Sequence, residues 1–428
     1  MFKIVNDSNY LAKVVQLKEF RKHEGADKLL IWNVNNYEVI TDLNYEIGDT
    51  VVFFPVECVI NPDLLKWLNM FEKKDLNKDE VKGYVHSSGR VRAIKLRGIV
   101  SEGIVIKFDK FAEWLINRGY TAKPEFVNFD YFDKLWICKK YTPVIRTAST
   151  GNSGKTPKTI DILVDGQFAF HGKTEKLQDN LHKVTPSDII NVSVKLHGTS
   201  AVYSNVLINR KLSFLEKLAS NVFNIVKEEY SKMYSSRTVL KYIEKVFKKD
   251  GGFYATDFWG TVYNDIKDSI EEGYSIYGEI VGNLNGSYVQ KGYDYSLILK
   301  DNTYGFFVYK ITYTTPKGTV IELSWQQMQE YCKKHNLNLV PTVYFGNASG
   351  HVPFYQDTVE DWQESFIKHL RANIEVKCHY CTNDVPFEGY VVRKENANPL
   401  RLKIKSKSFL AYETKQLDAG EQDTEEGN

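Results

Sequence analysis

Three strand-like segments in the C-terminal two thirds of the chain each carry charged side chains within apolar sequence. Residues 276–282 read IYGEIVG, in which Glu279 is the one charged side chain. Residues 402–406 read LKIKS, and their two lysines project to the same side of a strand. Residues 192–203 read VSVKLHGTSAVY and place Lys195 and Gly198 between two β-like stretches. Because buried charges need partners, these strands are expected to border a shared polar cleft.

Strands and helices alternate irregularly between residues 166 and 415. The apolar spacing of residues 214–230 predicts a helix. Ser324, with Gln327 three residues later, has the pattern of a helix-capping box, and Thr358 is expected to open a further helix. This mixed order argues against a doubly wound parallel sheet. It predicts the α+β class, with antiparallel sheets and flanking helices.

The N-terminal quarter has a different pattern, in which short alternating runs are separated by turn residues. Strands are expected near residues 29–34, 37–40 and 51–54, and short helices at 63–71 and 109–117. Several short strands with one or two helices favour an OB-type β-barrel that binds nucleic acid. The expected units are an OB domain (1–120), a connector (121–165), a second domain (166–415) and a disordered acidic tail (416–428).

Composition narrows the class of protein. The 428 residues carry a net charge of +2, and residues 418–428 contain five acids and no base, so the rest of the chain carries +7. A mildly basic body suits a polyanionic partner. Five cysteines in a long chain favour a reducing compartment, and no signal-peptide pattern or apolar run of about 20 residues is present. The expected location is the cytoplasm, with no membrane partner.

Two short motifs have weaker interpretations. Cys378 and Cys381 have the spacing of metal ligands, but the chain has no second such pair. Two thiols near a loop are therefore a simpler interpretation than a zinc site. The sequence Gly154-Lys155-Thr156 lacks the upstream glycine of a phosphate-binding P-loop.

A basic run occupies residues 90–98. Its basic residues alternate with apolar ones, and the phase switches in the middle, which predicts a strand with a bulge and a basic face. That face could be a solvated edge or a phosphate-contacting surface. The candidate nucleic-acid-binding residues are Arg90, Arg92, Lys95 and Arg97.

The charged segments of the second domain suit the chemistry of a nucleotide. A lysine attacks phosphorus only as the free amine, so the pKa of a nucleophilic lysine must fall from about 10.4. Glu279 and Glu388 could hold a divalent metal or ribose hydroxyls, and Lys403 and Lys405 could meet triphosphate oxygens. Any one of these charged residues could be explained as an ordinary strand or surface residue. That explanation is harder to accept for all of them together, in this order along the chain.

The order of these segments resembles the covalent nucleotidyltransferase superfamily of ligases and capping enzymes. That superfamily carries motifs I, Ia, III, IIIa, IV and V in this order. The corresponding segments here are KLHGT (195–199), SR (236–237), YGE (277–279), FFVY (306–309), EGY (388–390) and KIK (403–405).

Within the superfamily, the third position of motif I separates branches. Many DNA ligases and capping enzymes have aspartate there, whereas His197 followed by Gly198-Thr199 is similar to RNA ligases of the nick-sealing and RNA-editing type. Only about twenty residues follow Lys405, too few for the helical domain of many such enzymes. The long N-terminal region instead resembles the Deinococcus-type RNA ligases with an OB domain. A DNA ligase, a capping-type enzyme and a non-catalytic nucleic-acid-binding module remain alternatives.

The resemblance implies an ATP-dependent RNA ligase that forms phosphoric-ester bonds between 3′-OH and 5′-phosphate ends. Its substrate would be a nick in duplex RNA or RNA/DNA, its metal Mg²⁺ or Mn²⁺, and no obligate protein partner is expected. It would act through lysyl-AMP and an adenylylated 5′ end, in the cytoplasm, or in the host cytoplasm if the chain comes from a bacteriophage. The implied nucleophile is Lys195, and the implied catalytic cations are Lys403 and Lys405. ATP contacts would come from these three lysines and from His197, Gly198, Arg237, Glu279, Phe307 and Glu388. Phe307, or Phe306 in the alternative register, would stack on adenine, and Glu388 would bind the metal.

Overall fold

The structure is a computed structural model. It describes residues 10–121, 136–141, 162–172, 174–210, 212–219, 223, 226–246, 257–284, 286–355 and 357–420. Within these ranges, no helix combines the length and the apolar character needed to cross a membrane. Residues 421–428 of the predicted tail and most of the predicted connector lie outside the described residues.

The N-terminal region forms small antiparallel sheets. Its strands pair as β1-β5-β9, β2-β3-β4, β6-β10 and β7-β8, over three core clusters. Among the described residues these are separate sheets, so the OB-type barrel stays a prediction. The elements are β1 (Lys13–Gln16), β2 (Phe20–Lys22), β3 (Leu30–Val34), β4 (Tyr37–Thr41), β5 (Thr50–Pro55), β6 (Cys58–Ile60), α1 (Pro62–Trp67), β7 (Ile94–Leu96), β8 (Ile99–Ser101), β9 (Gly103–Lys107), α2 (Phe108–Ile116) and β10 (Cys138–Lys140).

The C-terminal region contains two larger sheets and most of the helices. The elements are β11 (Glu175–Lys176), α3 (Leu177–Asn180), β12 (Ile189–Lys195), β13 (Thr199–Asn209), α4 (Phe214–Ala219), β14 (Glu228–Ser235), β15 (Leu240–Ile243), α5 (Phe258–Ile266), β16 (Tyr274–Leu284), β17 (Ser287–Tyr288), α6 (Ser296–Leu299), β18 (Tyr304–Thr314), β19 (Val320–Glu322), α7 (Trp325–His335), β20 (Asn338–Leu339), β21 (Thr342–Asn347), α8 (Ala348–His351), α9 (Val359–Ile374), β22 (Gly389–Lys394), β23 (Leu400–Lys405) and α10 (Lys407–Asp418).

The two sheets confirm the α+β class. One has the order β11-β23-β22-β12-β21, and the other runs β15-β14-β13-β16-β18-β19, with β17 beside β16 and β20 beside β18. All of these pairs are antiparallel except β11 with β23 and β18 with β20. β13 and β16 are buried along almost their whole length, because both faces of the second sheet are covered. One large apolar cluster packs against both sheets, and a smaller one covers part of β13, β14 and β15.

Helix α7 shows how local sequence sets an element's limits. The Ser324 hydroxyl accepts the backbone N–H of Gln327 at 3.2 Å, and the Gln327 side chain accepts the Ser324 N–H at 2.8 Å. This confirms the predicted capping box. The helix ends at Asn336, which adopts a left-handed conformation with φ of 53°. The predicted helix after Thr358 is likewise confirmed as α9.

Two local predictions were wrong. Of the helix predicted over residues 214–230, the described residues show α4 (Phe214–Ala219), while residues 228–230 belong to β14. Eight residues of β14 pair with β13, and this backbone pairing outweighs the helical apolar spacing. The strand predicted over residues 90–98 is also shorter. Arg90 makes only an isolated bridge to Val59, and regular pairing begins at Ile94.

The N-terminal region docks on α9 and α10 through buried polar contacts. Arg371 donates to both oxygens of the fully buried Glu102, at 2.8 and 3.1 Å, and to the backbone oxygen of Asn36 at 2.6 Å. Apolar residues of the N-terminal region pack beside Leu410. Helix α10 continues to Asp418, so the first residues of the predicted tail are helical. These contacts hold the two regions as neighbours around the face that carries Lys405.

Replacing Arg371 with methionine should lower the free energy of unfolding by about 3–5 kcal/mol, because Glu102 would stay buried without its cation. Urea denaturation followed by circular dichroism measures this change. The matched control is Lys377→Met, because Lys377 forms an ion pair with Asp384 in which both side chains are exposed. That change should stay within about 0.5 kcal/mol. Equal effects of the two substitutions would contradict the structural role of the Arg371 pair.

Candidate active site

One face of the sheet formed by β12, β22 and β23 carries a regular grid of side chains. Directly paired residues of antiparallel strands point to the same face, and so do residues two apart along each strand. The register therefore sets out three rows. They are Lys195–Gly389–Lys405, Ser193–Val391–Lys403 and Asn191–Arg393–Arg401.

A cleft with about 800 Å³ of free space lies over this grid. Residues of the second sheet and of α7 form its other walls. Four of the residues predicted from sequence line it: Lys195, Arg237, Glu279 and Lys403. Glu279 reaches it from β16, where it pairs with Ser200 of β13, and the Ser200 hydroxyl donates to Glu279 Oε2 at 3.2 Å. The fold thus gathers residues that are far apart in sequence.

Lys195 ends β12, and its ammonium group is paired with a buried carboxylate. Its Nζ lies 2.8 Å from Glu388 Oε1, and Glu388 is only 1% exposed. Glu388 immediately precedes Gly389, the residue paired with Lys195 across the strands. The carboxylate therefore lies behind the lysine and fixes the direction of its side chain into the cleft.

His197 does not line the cleft but supports it from behind. The ring is buried between Tyr293 and Phe409, with edge contacts of 4.9 Å between ring centroids for each. Its Nδ1 lies 3.9 Å from Glu388 Oε2, and its backbone N–H donates to the Tyr295 hydroxyl at 2.6 Å. The histidine thus packs against the carboxylate that holds Lys195. No pattern in the sequence pointed to the two tyrosines, which lie in a segment without regular structure.

Gly198 is required by close packing. A Cβ at this position would lie 2.2 Å from the backbone oxygen of Ile280, next to Glu279 on β16. Its own carbonyl accepts a hydrogen bond from Gln290 Nε2 at 2.8 Å. Glycine therefore lets the loop after Lys195 approach the strand that carries Glu279.

Lys405 differs from Lys403, although both lie on the same strand face as predicted. Its Nζ is 2.9 Å from Glu413, 3.8 Å from Glu388 and 3.9 Å from Glu57. Burial raises the pKa of the Glu57 carboxyl, but Lys405 and neighbouring lysines outweigh burial and hold that pKa below its usual value. Lys405 thus neutralises carboxylates from three parts of the chain, while Lys403 lines the cleft.

The aromatic strand β18 presents a different ring to the cleft from the one predicted. Phe307 is 5% exposed and packs in the large core, and the cleft lining contains Tyr309 instead. The register with β16 shifts so that Val308 pairs with Gly278 and Lys310 with Tyr277. This bulge leaves Tyr309 between pairs and turns its ring toward the cleft, edge-on to His171 at 5.3 Å.

Further lining residues follow from strand periodicity. Counting back by two from Lys195 reaches Ser193 and Asn191, and counting back from Lys403 reaches Arg401. The sequence contained this signal, because alternate strand residues share a face. Trp325, at the start of α7, also lines the cleft, and no pattern in the sequence pointed to it.

The basic run divides into two pairs. Arg90 is 3% exposed, lies 3.5 Å from Asp418 and stacks on the Tyr141 ring. Arg92 contacts Asp418 and Glu72. Lys95 and Arg97 are exposed on and beside β7. Arg90 and Arg92 thus bind the end of α10, and Lys95 and Arg97 are the exposed members of the run.

Cys378 and Cys381 are both buried free thiols. Among the described residues, no group of three or more histidine, cysteine, aspartate or glutamate side chains is arranged to hold a metal ion.

Gly389→Ala should destabilise the protein by about 2–4 kcal/mol. Gly389 has φ of +148°, and an added Cβ would lie 2.0 Å from the backbone oxygen of Ile404, so β22 and β23 would have to separate. Chemical denaturation gives the loss. Gly172→Ala is the control, since a Cβ there meets nothing within 4 Å. An unchanged stability of Gly389→Ala would contradict the described register.

The chain is similar over 95% of its length to the RNA ligase of Naegleria gruberi with PPi, at 16% identity, with 99% of that chain covered and a TM-score of 0.56. Variants of that enzyme with AMP and Mn, and with ATP and Mn, also match at 16% identity and a TM-score of 0.56, over 94% of this chain and 98% of theirs. These similarities show a shared fold. A comparison with curated proteins finds no match.

The family model described as RNA ligase matches residues 188–407. This span is just over half of the chain and contains every residue of the grid. The chain therefore belongs to the RNA ligase family.

Proposed function

We propose that this protein is an ATP-dependent RNA ligase that joins 3′-OH and 5′-phosphate ends through a lysyl-AMP intermediate on Lys195. The observation that carries the proposal is the position of Lys195, whose Nζ reaches the cleft while Glu388 holds it from behind. The Naegleria enzyme, of the same fold, is described with ATP, AMP and Mn. A lysine that acts on ATP must be fixed next to the α-phosphorus, and a short buried ion pair fixes it.

The proposed reaction has three transfers. The Lys195 ammonium first releases a proton. The free amine then attacks the α-phosphorus of ATP, the P–N bond forms, the bond to pyrophosphate breaks and the nitrogen loses a second proton. The AMP then passes to a 5′-phosphate end, which restores the lysine. Finally the 3′-OH attacks the 5′-phosphorus, the phosphodiester forms and AMP leaves. Each step builds negative charge on phosphoryl oxygens, so fixed cations are the main requirement of the site.

The cleft residues divide this work according to position. Lys403 lies in the row next to Lys195, where it can neutralise phosphoryl oxygens. Glu279 and Arg237 are the groups for ribose hydroxyls or the 5′-phosphate. Tyr309 replaces Phe307 as the ring proposed to stack on adenine, because Tyr309 lines the cleft.

The donor set fits a metal that arrives with the nucleotide. Mg²⁺ in such sites takes one or two carboxylates and completes its shell with phosphate oxygens and water. Glu279 in the cleft wall and Glu388 beside Lys195 are the carboxylates that would hold Mg²⁺ or Mn²⁺. A bound metal would add positive charge at the phosphoryl oxygens.

A further part of the proposal concerns the domains and the residues that would bind the RNA. We propose that residues 1–120 form an OB-type domain, followed by a connector to 165 and a nucleotidyltransferase domain to 415. The exposed Lys95 and Arg97 would contact the backbone of a nicked duplex, as in the Deinococcus-type branch. Docking of this region beside Lys405 supports a shared RNA surface, since both regions then border the same site.

Lys195→Ala should lose sealing of a 5′-phosphate nick in duplex RNA with ATP and Mg²⁺. It should still seal the same nick when the 5′ end already carries AMP, because the lysine acts only in forming that end. Gel analysis of labelled strands measures both reactions. Lys317→Ala, at an exposed turn, is the control and should seal both. Sealing of the 5′-phosphate nick by Lys195→Ala contradicts the proposal, and preference for an all-DNA nick favours a DNA ligase.

Lys403→Met and Lys405→Met should separate catalysis from stability. Lys403→Met should reduce lysyl-AMP formation at saturating ATP and cost less stability than Lys405→Met, because Lys403 lines the cleft and Lys405 pairs with three carboxylates. Lys405→Met should also lower the free energy of unfolding by about 3–5 kcal/mol, because three carboxylates lose their shared cation. Label transfer from α-labelled ATP and urea denaturation measure the two effects. The same loss of stability in both variants would contradict this division.

A further inference from the structure

The inner end of the cleft has two buried polar groups that the proposed phosphate chemistry does not use. Asn191 lies in the third row of the grid and is 1% exposed, and Trp325 opens α7 and is 2% exposed. Both line the cleft. Val340 and Tyr309 line the cleft too, and so do Arg393 and Arg401, the row partners of Asn191.

Each group has a polar atom that makes no hydrogen bond with any described residue. These atoms are Asn191 Oδ1, an acceptor, and Trp325 Nε1, a donor. Asn191 Nδ2 donates to the backbone oxygen of Tyr344 at 3.5 Å, so Oδ1 is the amide atom that remains for a ligand. Burying such atoms without partners is costly, so their retention in the cleft wall points to a ligand that satisfies them.

Their distance from Lys195 suits a nucleotide. Asn191 precedes Lys195 by four residues on the same strand face, which corresponds to about 13 Å along β12. That span is comparable to the length of a nucleoside monophosphate from phosphorus to the far edge of its base. A nucleotide with its α-phosphorus at Lys195 would therefore place its base between the Asn191 and Trp325 side chains.

Both groups are on rigid supports. The backbone N–H of Trp325 donates to Glu395 Oε2 at 3.2 Å, and the residue follows the capping box of α7. Asn191 is paired on both sides, with Arg393 of β22 and Phe345 of β21. Fixed donors and acceptors can discriminate between ligands, because they cannot adapt to the wrong pattern.

We propose that Asn191 and Trp325 read the edge of the base and select a 6-aminopurine; the proposal rests on the function proposed above. Asn191 Oδ1 accepts from the 6-amino group, and Trp325 Nε1 donates to the neighbouring ring nitrogen N1. Guanine presents an oxygen in place of the amino group and an N–H in place of N1. It would set acceptor against acceptor and donor against donor, so the pair accounts for use of ATP in place of GTP.

Direct binding tests this reading without turnover. Lys195→Ala protein, which forms no covalent adduct, is titrated calorimetrically with ATP, purine riboside triphosphate (which lacks the 6-amino group), 1-deaza-ATP and GTP. Each of the two analogues that lack one hydrogen-bonding position should bind about tenfold more weakly than ATP. GTP should bind more weakly than either analogue, because both of its positions are mismatched.

Two further substitutions, each added to the Lys195→Ala protein, test which side chain makes which hydrogen bond. Adding Asn191→Leu should weaken ATP about tenfold and remove the difference between ATP and the purine riboside nucleotide, while the 1-deaza penalty persists. Adding Trp325→Phe should remove the difference between ATP and 1-deaza-ATP, while the penalty for lacking the 6-amino group persists. If Trp325→Phe does not fold, 1-deaza-ATP tests the same hydrogen bond in protein that keeps Trp325.

Failure of the base-reading proposal can be told apart from failure of the ligase proposal. If the protein with Lys195 intact forms lysyl-AMP but the Lys195→Ala protein binds ATP and both analogues equally, the base-reading proposal is overturned and the ligase proposal stands. If ATP neither binds nor labels the protein, both proposals fail.

Discussion

The buried carboxylate of Glu388 is the group around which the candidate site is organised. It is 1% exposed and has three cationic or cation-capable neighbours: Lys195 at 2.8 Å, Lys405 at 3.8 Å and His197 at 3.9 Å. A charge buried this deeply is tolerated only where cations surround it. The requirement fixes Lys195 at the end of β12 and brings Lys405 behind it on β23. Glycine at 389 then lets the two strands that carry these residues meet.

Lys405 extends this network into the N-terminal region. It contacts Glu57, which follows β5, as well as Glu413 of α10. The same interface contains the buried pair of Arg371 with Glu102. Charge compensation at the site and docking of the N-terminal region therefore depend on shared residues. A ligase built this way would couple the position of its RNA-binding region to the geometry around Lys195.

The sequence was most informative where a short-range rule decides the structure. Period-two alternation predicted several strands, and the capping pattern at Ser324 predicted the start of α7. Ordered motifs predicted that Lys195, Arg237, Glu279 and Lys403 would meet, and they line one cleft. The matching family span of 188–407 agrees with the region in which those motifs were found.

Features set by tertiary contacts were not predictable from local patterns. Residues 228–230 fell within a helix predicted from the apolar spacing of the segment before them, yet pairing with β13 makes them a strand. A bulge in β18 exchanges Phe307 for Tyr309 at the cleft, and only the register shows it. Arg90 alternates like a surface residue but is buried against Asp418, more than three hundred positions later.

The central claim is that Lys195 itself carries AMP during the reaction. The most direct measurement is peptide mass spectrometry of the full chain after incubation with ATP and Mg²⁺ in the absence of RNA. The predicted result is one AMP adduct, on the peptide containing Lys195 and assigned to that side chain by fragmentation. An adduct on another lysine, such as Lys403 or Lys405, or RNA sealing by protein that never carries an adduct, would contradict it.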